Sequence, residues 1–474
     1  MHLISPLLTD LYQLTMAYGY WRQRLHEREA VFHLSFRHSP FGGHYAIAAG
    51  LATAVEFFKN WRFQKEDLTY LRSLKNPAGT PLFPAAFLSY LKKLRFRCDV
   101  HAVLEGTVVF PHEPLLRIQG PLLQAQLMES TLLNIINFQT LIATKAARVC
   151  RAAEGDTVLE FGMRRAQGVD GALSASRAAY IGGCHATSNV LAGKIYGIPV
   201  SGTHAHSWVT VFANEKQAFS AYAEVMPESG FFLVDTFDSV QGVKNAIAIG
   251  KQLRNKGFDL RGIRLDSGDL AALSIKARAL LDAAGFPNAQ IIASNCLDEY
   301  VITRLKKQGA KICCWGVGTH LVTAYDEPAL DGVYKLSALR DEQGEWQYKL
   351  KLSEQTVKIS HPGIQQVRRF FWDDAPVMDI VYDLVCGIPE EKPELVSMDA
   401  TVQQKLPDYD ACMDLLQPIF VKGKCIFKNE SLAVIRERAL QQVSQFLQPP
   451  YLVGLEGNLF ALKKRLIDNV KKNS

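Results

Sequence analysis

The stretch Gly262-Ile263-Arg264-Leu265-Asp266-Ser267-Gly268-Asp269, with the apolar-periodic run 270–284 behind it, decides the fold. A short apolar run that ends in a charged turn and then enters a helical pattern is a strand–helix unit. The pattern repeats on both sides. Strand-like runs fall at 157–161, 198–201, 231–234, 262–265, 290–293 and 312–316, with helical stretches at 174–195, 240–255, 270–284 and 298–308 between them. From the second run onward the spacing is about thirty residues, the size of one such unit. Short strands alternating with longer helices predict an α/β chain built on a parallel (β/α) barrel rather than an open sheet. No Gly-x-Gly-x-x-Gly follows a strand, so a dinucleotide-binding sheet has no support.

Outside this alternation the patterns are mixed. Residues 1–128 read as an α+β domain, with a strand at 31–37, helices at 51–61, 66–74 and 84–93, and a strand-rich stretch at 95–118. A long amphipathic segment, 122–153, leads into the barrel domain at 129–335. Residues 336–474 read as a C-terminal β-rich and helical region, packed on the barrel or completing the N-terminal domain. A hairpin spans 333–339 and 346–352, strand character appears at 357–359 and 377–384, and a helix at 432–447 stops at Pro449-Pro450.

Composition narrows the function classes. A chain of 474 residues suggests two or three domains, and 48% apolar with 21% charged residues is ordinary for a soluble protein. The net charge of +6 is dispersed, and its densest clusters, Lys92–Arg97 and Lys463–Lys472, read as solvated helix faces rather than nucleic-acid patches. No run approaches the roughly 18 apolar residues of a membrane helix, and the N-terminus lacks a signal-peptide pattern. Nine cysteines without a Cys-x-x-Cys pair, including the adjacent Cys313 and Cys314 in an apolar strand pattern, read as buried thiols of a reduced, cytoplasmic protein.

Barrels place their chemistry at the carboxyl ends of their strands. Here those ends carry Glu160, Arg164 and Arg165; Thr203, His204, His206 and Ser207; Asp235, Thr236 and Asp238; Arg264, Asp266, Ser267 and Asp269; Ser294, Asn295 and Asp298; Gly316, Gly318, Thr319 and His320. Asp238, Asp269 and Asp298 each have a second reading as helix caps. Taken together the ends suit the handling of phosphates. Gly316-Val317-Gly318-Thr319 offers backbone N–H groups before a helix, the three arginines can bind oxyanions, and Asp235, Asp266 and Asp269 can hold Mg²⁺ directly or through water. His204-x-His206 also fits the start of a zinc hydrolase barrel, but the later histidines, His320 and His361, do not follow apolar strands as such a site needs.

Four motifs in order carry a resemblance: residues 8–16 (LTDLYQLTM), 160–165 (EFGMRR), 202–207 (GTHAHS) and 264–269 (RLDSGD), with Gly316-Val317-Gly318-Thr319 as a fifth. From residue 8 to beyond 370 the chain resembles nicotinate phosphoribosyltransferase. The resemblance implies an irregular, type II phosphoribosyltransferase-like barrel. It implies formation of nicotinate mononucleotide and diphosphate from nicotinate and 5-phosphoribosyl 1-diphosphate (PRPP) in NAD salvage, driven by ATP through a phosphohistidine, with Mg²⁺. By this resemblance His206 is the phosphorylated histidine, and Arg264 and Thr203 face the nicotinate. Tyr12 of a second copy and Phe161 sandwich the pyridine ring, so the protein is expected to be a homodimer with shared sites. Gly318 and Thr319 bind the 5-phosphate, Arg164 contributes to substrate binding, and Asp235, Asp266 and Mg²⁺ serve the ribose and diphosphate. Related nicotinamide-using enzymes carry an aspartate where this chain has Ser188, which favours the acid as substrate.

Overall fold

The computed structural model describes residues 5–353, 359–389, 394–398, 400–446 and 451–473. The chain forms two compact units, Leu141–Pro328 and a second assembled from Met1–Thr140 with Ala329–Ser474. The boundaries expected at 128 and 335 move, and of the two readings of the C-terminal region the one in which it completes the N-terminal domain holds, giving a discontinuous unit in place of a third domain. Its physical basis is strand pairing. A seven-stranded antiparallel sheet runs in the order Trp346–Tyr348, Gly332–Arg340, Glu29–Phe36, Leu116–Pro121, Asp99–Val103, Leu416–Val421, Lys424–Cys425, so three N-terminal strands are flanked on both sides by strands from the C-terminal part of the chain.

A six-stranded sheet from the C-terminal half of the same unit includes the antiparallel pair Gln365–Trp372 and Ala375–Asp383. The fully buried Arg369 and Asp379 form an ion pair there at 2.6 Å, with the Tyr451 hydroxyl donating to Asp379 at 2.8 Å. Of the strands expected in this half, 346–352 shortens to Trp346–Tyr348. Residues 357 and 358 lie outside the described residues, and Ile359 is in no strand. The helix expected at 432–447 spans Leu432–Gln445, and Leu447, Pro449 and Pro450 lie outside the described residues.

In the Leu141–Pro328 unit, six short strands form one parallel sheet. Their spatial order is Ala186–Thr187, Thr157–Glu160, Cys314–Val317, Gln290–Ala293, Gly262–Leu265, Phe231–Leu233. Leu159, Ala186, Ile292 and Cys314 form a buried cluster, with Phe161 and Phe231 packed against it. Strand spacing depends on Gly262, since a Cβ there would sit 2.3 Å from the Gln290 carbonyl oxygen. Helices Ser239–Asn255, Leu270–Ala283 and Glu299–Lys307 follow their strands as the periodicity predicts.

Two departures have local causes. The 174–195 stretch is not one helix: Val169–Ile181 stops at Gly182-Gly183, where Gly183 takes φ +112°, and the strand Ala186–Thr187 follows. The expected strand at 198–201 contributes only a single bridge, Val200 to Thr187, because Pro199 has no N–H to extend a ladder.

Among the described residues no ladder joins this bridge to the Phe231–Leu233 strand. His204 spans the gap instead. Its Nε2 accepts from the Leu233 N–H at 3.2 Å, and its ring packs edge-on to Tyr222 with centroids 4.9 Å apart. Burial pushes this imidazole down to about 4, so at neutral pH the ring is uncharged and able to accept. The barrel is irregular because one of its seams is a side chain.

Cys314 is buried as expected but Cys313 is exposed, and none of the nine cysteines is in a disulfide among the described residues. Lys463 also departs from a solvated face and is buried. No helix among the described residues is long and apolar enough to cross a membrane.

Replacing His204 with Phe keeps an aromatic body but orphans the Leu233 N–H, at an expected cost of about 1–3 kcal/mol in urea unfolding at pH 7. The wild-type ring has a folded-state pKa of about 4 against an ordinary 6.5, so its contribution is present above 6.5 and is lost as pH falls towards 4. The variant should therefore lose stability less steeply than wild type across that window, and parallel curves would contradict the neutral acceptor role.

Candidate active site

Arg264 is the third residue of the Gly262–Leu265 strand, and its guanidinium stands among the strand ends. Nε donates to Ser294 Oγ at 2.8 Å, Nη1 to Thr203 Oγ1 at 3.1 Å and Nη2 to Asp266 Oδ1 at 2.9 Å. Ser294 in turn donates a very short hydrogen bond to the same Asp266 oxygen. Burial pushes the Asp266 carboxyl up, but the Ser294 hydrogen bond and the Arg264 charge outweigh it and hold the pKa below the usual carboxylate value. Asp266 is therefore a carboxylate at neutral pH.

The remaining oxygen of Asp266 faces a histidine. His206 opens the short helix His206–Thr210, its Nε2 lies 3.7 Å from Asp266 Oδ2, and its Nδ1 is 3.1 Å from Thr236 Oγ1. Asp235 braces this corner, with Oδ2 accepting from the Asp266 N–H at 2.7 Å and from Ser267 Oγ at 2.6 Å. Its other oxygen, Oδ1, is buried without a hydrogen-bond partner. A desolvated carboxylate oxygen left open in this way suits a cation ligand.

Phe161 supplies an aromatic wall. Its N–H donates to the Val317 carbonyl at 2.7 Å, and its ring lies so close over Gly316 that a Cβ there would be 2.6 Å from a ring carbon. The Arg264 guanidinium carbon is 5.6 Å from the ring centroid. The buried Glu160 beside it is structural, accepting from Ser176 Oγ at 2.8 Å and from Thr187 and the Gly162 N–H. Together these strand ends enclose a cavity of about 280 Å³ lined by Phe161, Arg164, Ser188, Thr203, His206, Arg264 and Asp266, among others.

The remaining predicted residues fall elsewhere. Tyr12 lies in the other compact unit, half-exposed on the helix Leu11–Arg22. Gly318 and Thr319 stand at the neighbouring strand end, where Thr319 begins the turn Thr319–Val322, and neither lines the cavity. Asp269 is a cap: its Oδ1 accepts from the Ala272 N–H at 3.0 Å, as Asp238 and Asp298 accept from Gln241 and Val301, both at 2.7 Å. As a metal ligand Asp269 is thus displaced by a local demand, the unpaired amides of its own helix. Among the described residues no cluster of three or more His, Cys, Asp and Glu is arranged to hold a metal ion.

Ser294 and Thr236 emerge as site residues that sequence reasoning placed at strand ends without assigning work. The available signal was position alone, a hydroxyl directly after an apolar run. The loop beyond Ser294 is strained, with Asn295 at φ +99° and Cys296 at φ +37°, as often occurs where a backbone is bent to serve a site.

The irregular α/β unit, whose strand ends gather arginine, carboxylates and histidine around an aromatic-walled cavity, has a type II phosphoribosyltransferase-like fold. Residues 7–137 match the nicotinate phosphoribosyltransferase N-terminal domain, and residues 157–347 match the nicotinate phosphoribosyltransferase family. The chain is 49% identical to a nicotinate phosphoribosyltransferase of Bacillus subtilis (strain 168) over 77% of this chain and 72% of that protein. It is 45% identical to one from Mycobacterium tuberculosis (strain H37Rv) over 98% of this chain and 92% of that protein. The crystal structure of human nicotinic acid phosphoribosyltransferase superposes with a TM-score of 0.84 at 32% identity, covering 97% of this chain and 99% of that one. The chain belongs to the nicotinate phosphoribosyltransferase family.

Ser294→Ala removes both the donor to Asp266 and the acceptor of Arg264 Nε. The Asp266 carboxyl should move back up towards its ordinary value in a carboxyl-carbon NMR titration, with a stability loss of about 1–2 kcal/mol. An unmoved titration would show that Arg264 alone sets that carboxylate.

Proposed function

We propose that this enzyme transfers the 5-phosphoribosyl group of PRPP to nicotinate, giving nicotinate mononucleotide and diphosphate in NAD salvage. One observation carries the reading: a cavity with an aromatic wall, Phe161, an arginine at its base and no carboxylate at Ser188. Three of the five N–H groups of Arg264 are engaged by Ser294, Thr203 and Asp266, which leaves two for a substrate carboxylate. Phe161 offers its face to a pyridine ring.

In this reading the C1–O bond to diphosphate breaks first and its electron pair leaves with the diphosphate. The pyridine nitrogen lone pair then forms the C1–N bond. That nitrogen carries no proton at neutral pH, so no general base is required, and the site offers placement and charge stabilisation instead. Mg²⁺, when bound, supplies positive charge for the departing diphosphate. Asp235 through its open Oδ1, with Asp266, would hold it. Arg164, exposed at the cavity rim, suits the phosphates, and Gly318 and Thr319 the 5-phosphate.

ATP coupling would run through His206. With Nδ1–H given to Thr236, the Nε2 lone pair attacks the γ-phosphorus, the bond to the bridging oxygen breaks, and ADP leaves with that electron pair. Asp266, 3.7 Å from Nε2, would offset the positive charge the ring gains as the N–P bond forms. A homodimer would supply Tyr12 to a neighbouring copy's pyridine site. Support comes from the uncovered apolar residues around it, with Leu8 46%, Leu11 55%, Tyr12 49% and Met16 40% exposed. Nine cysteines outside any disulfide suit work in the reducing cytoplasm.

Incubation with γ-labelled ATP tests the histidine: wild type should take up acid-labile label and His206→Ala should take up none, with nucleotide formation no longer accelerated by ATP. Label on the variant would assign phosphorylation elsewhere.

Ser188→Asp tests the substrate. A new carboxylate facing the pyridine substituent repels an acid and accepts from an amide, so kcat/KM for nicotinate should fall about 100-fold or more relative to that for nicotinamide. An unchanged ratio would place the substituent away from Ser188. Failure of both pyridines with PRPP in the wild type would reject the proposed reaction.

A further inference from the structure

A second cavity, about 30 Å³ in volume, lies within the discontinuous unit. That is room for about two or three water-sized groups, the size of one tetrahedral oxyanion. Its walls include Ser35, Arg37, His112, Lys335, Ser360 and His361, none of which lines the cavity described above. Antiparallel register pairs His33 with Lys335 and Ser35 with Val333, and strand alternation puts all four on one face of the sheet.

The walls are cationic, and no aspartate or glutamate lines them. Arg37 is shared with Asp331 at 3.3 Å, while among the described residues the Lys335 ammonium donates to the Tyr334 carbonyl at 3.1 Å and feels the Glu129 carboxylate electrostatically. A further charge stands behind the lining residues, on the helix Gly457–Asn473. Lys463 is 7% exposed, has no carboxylate partner among the described residues, and bears electrostatically on both His112 and His361. Burial pushes its ammonium down to about 8. His361 is 8% exposed, and neither of its ring nitrogens has a hydrogen-bond partner.

A buried cation without a counter-charge is costly, and so is a buried ring nitrogen without a partner. His361 lines the cavity, and the Lys463 charge bears on two of its lining histidines, so one anion there would partner the ring and offset the charge. We propose that this cavity is an oxyanion site, taking a tetrahedral phosphate-class anion whose oxygens accept from Arg37, Lys335 and a ring nitrogen of His361 and whose charge offsets Lys463. The donors come from a strand end, the neighbouring strand and the segment at 360–361, so they surround a tetrahedral ion rather than a flat carboxylate.

The test uses the full chain, with unfolding midpoints measured in inorganic phosphate against chloride at constant ionic strength. Phosphate should raise the wild-type midpoint saturably, as a ligand bound only by the folded state does. Lys335→Met and Lys463→Met should lose that rise, while in chloride alone Lys463→Met should unfold no earlier than wild type, because an uncompensated buried charge has been removed. His206→Ala should keep the rise, which separates this cavity from phosphate bound at the strand ends. A response to ATP but not to inorganic phosphate, lost in both lysine variants, would assign the site to the phosphoryl end of a nucleotide rather than to the free ion. A rise of equal size in the lysine variants, or no response of the wild type to phosphate, sulfate or ATP, would overturn the proposal.

Discussion

The Arg264 guanidinium is the constraint around which the barrel's working end is organised. A cation standing among strand ends needs its hydrogen-bond donors satisfied, and it takes them from three different strands' ends: Thr203, Asp266 and Ser294. That one requirement holds Asp266 ionised and sets its second oxygen towards His206. Asp235 then locks the backbone of Asp266, so its carboxylate and the histidine share one frame. The preorganisation serves a reaction in which charges separate, since dipoles already in place need no rearrangement when the diphosphate departs.

The two histidines of the 202–207 motif divide their labour by burial. His204 is enclosed by aromatic rings and works as a neutral acceptor that closes the barrel seam onto Leu233. His206, two residues on, is partly exposed and faces the cavity with a nitrogen available for chemistry. His204 stands two residues before His206, so the backbone that carries His206 is held by a structural bond to Leu233.

Much of the parallel architecture is legible in periodicity. The strands Gly262–Leu265 and Gln290–Ala293 coincide with their apolar runs, and the helices that follow begin at capped positions. What periodicity misses is informative. Ala186–Thr187 is too short to show alternation, and Pro199 interrupts the ladder in a run whose side chains read as a strand. Asp269 looks like its neighbour Asp266 in sequence, yet its helix claims it as a cap. Lys463 reads as one more basic residue of a solvated helix, and only packing shows it buried.

Residue order alone settled the alternation of strands and helices, the polar character of every strand end and the family resemblance, because these depend on local patterns within a few tens of residues. Tertiary structure decided the rest. Pairing of Glu29–Phe36 with Gly332–Arg340 joins the two ends of the chain into one unit across about three hundred residues, which no local pattern encodes. The partners of Arg264, the open oxygen of Asp235 and the gathering of Lys335 and His361 around one cavity arise in the same way. Charge and hydrogen-bond satisfaction are properties of neighbours in space, and the neighbours exist only once the sheet has closed.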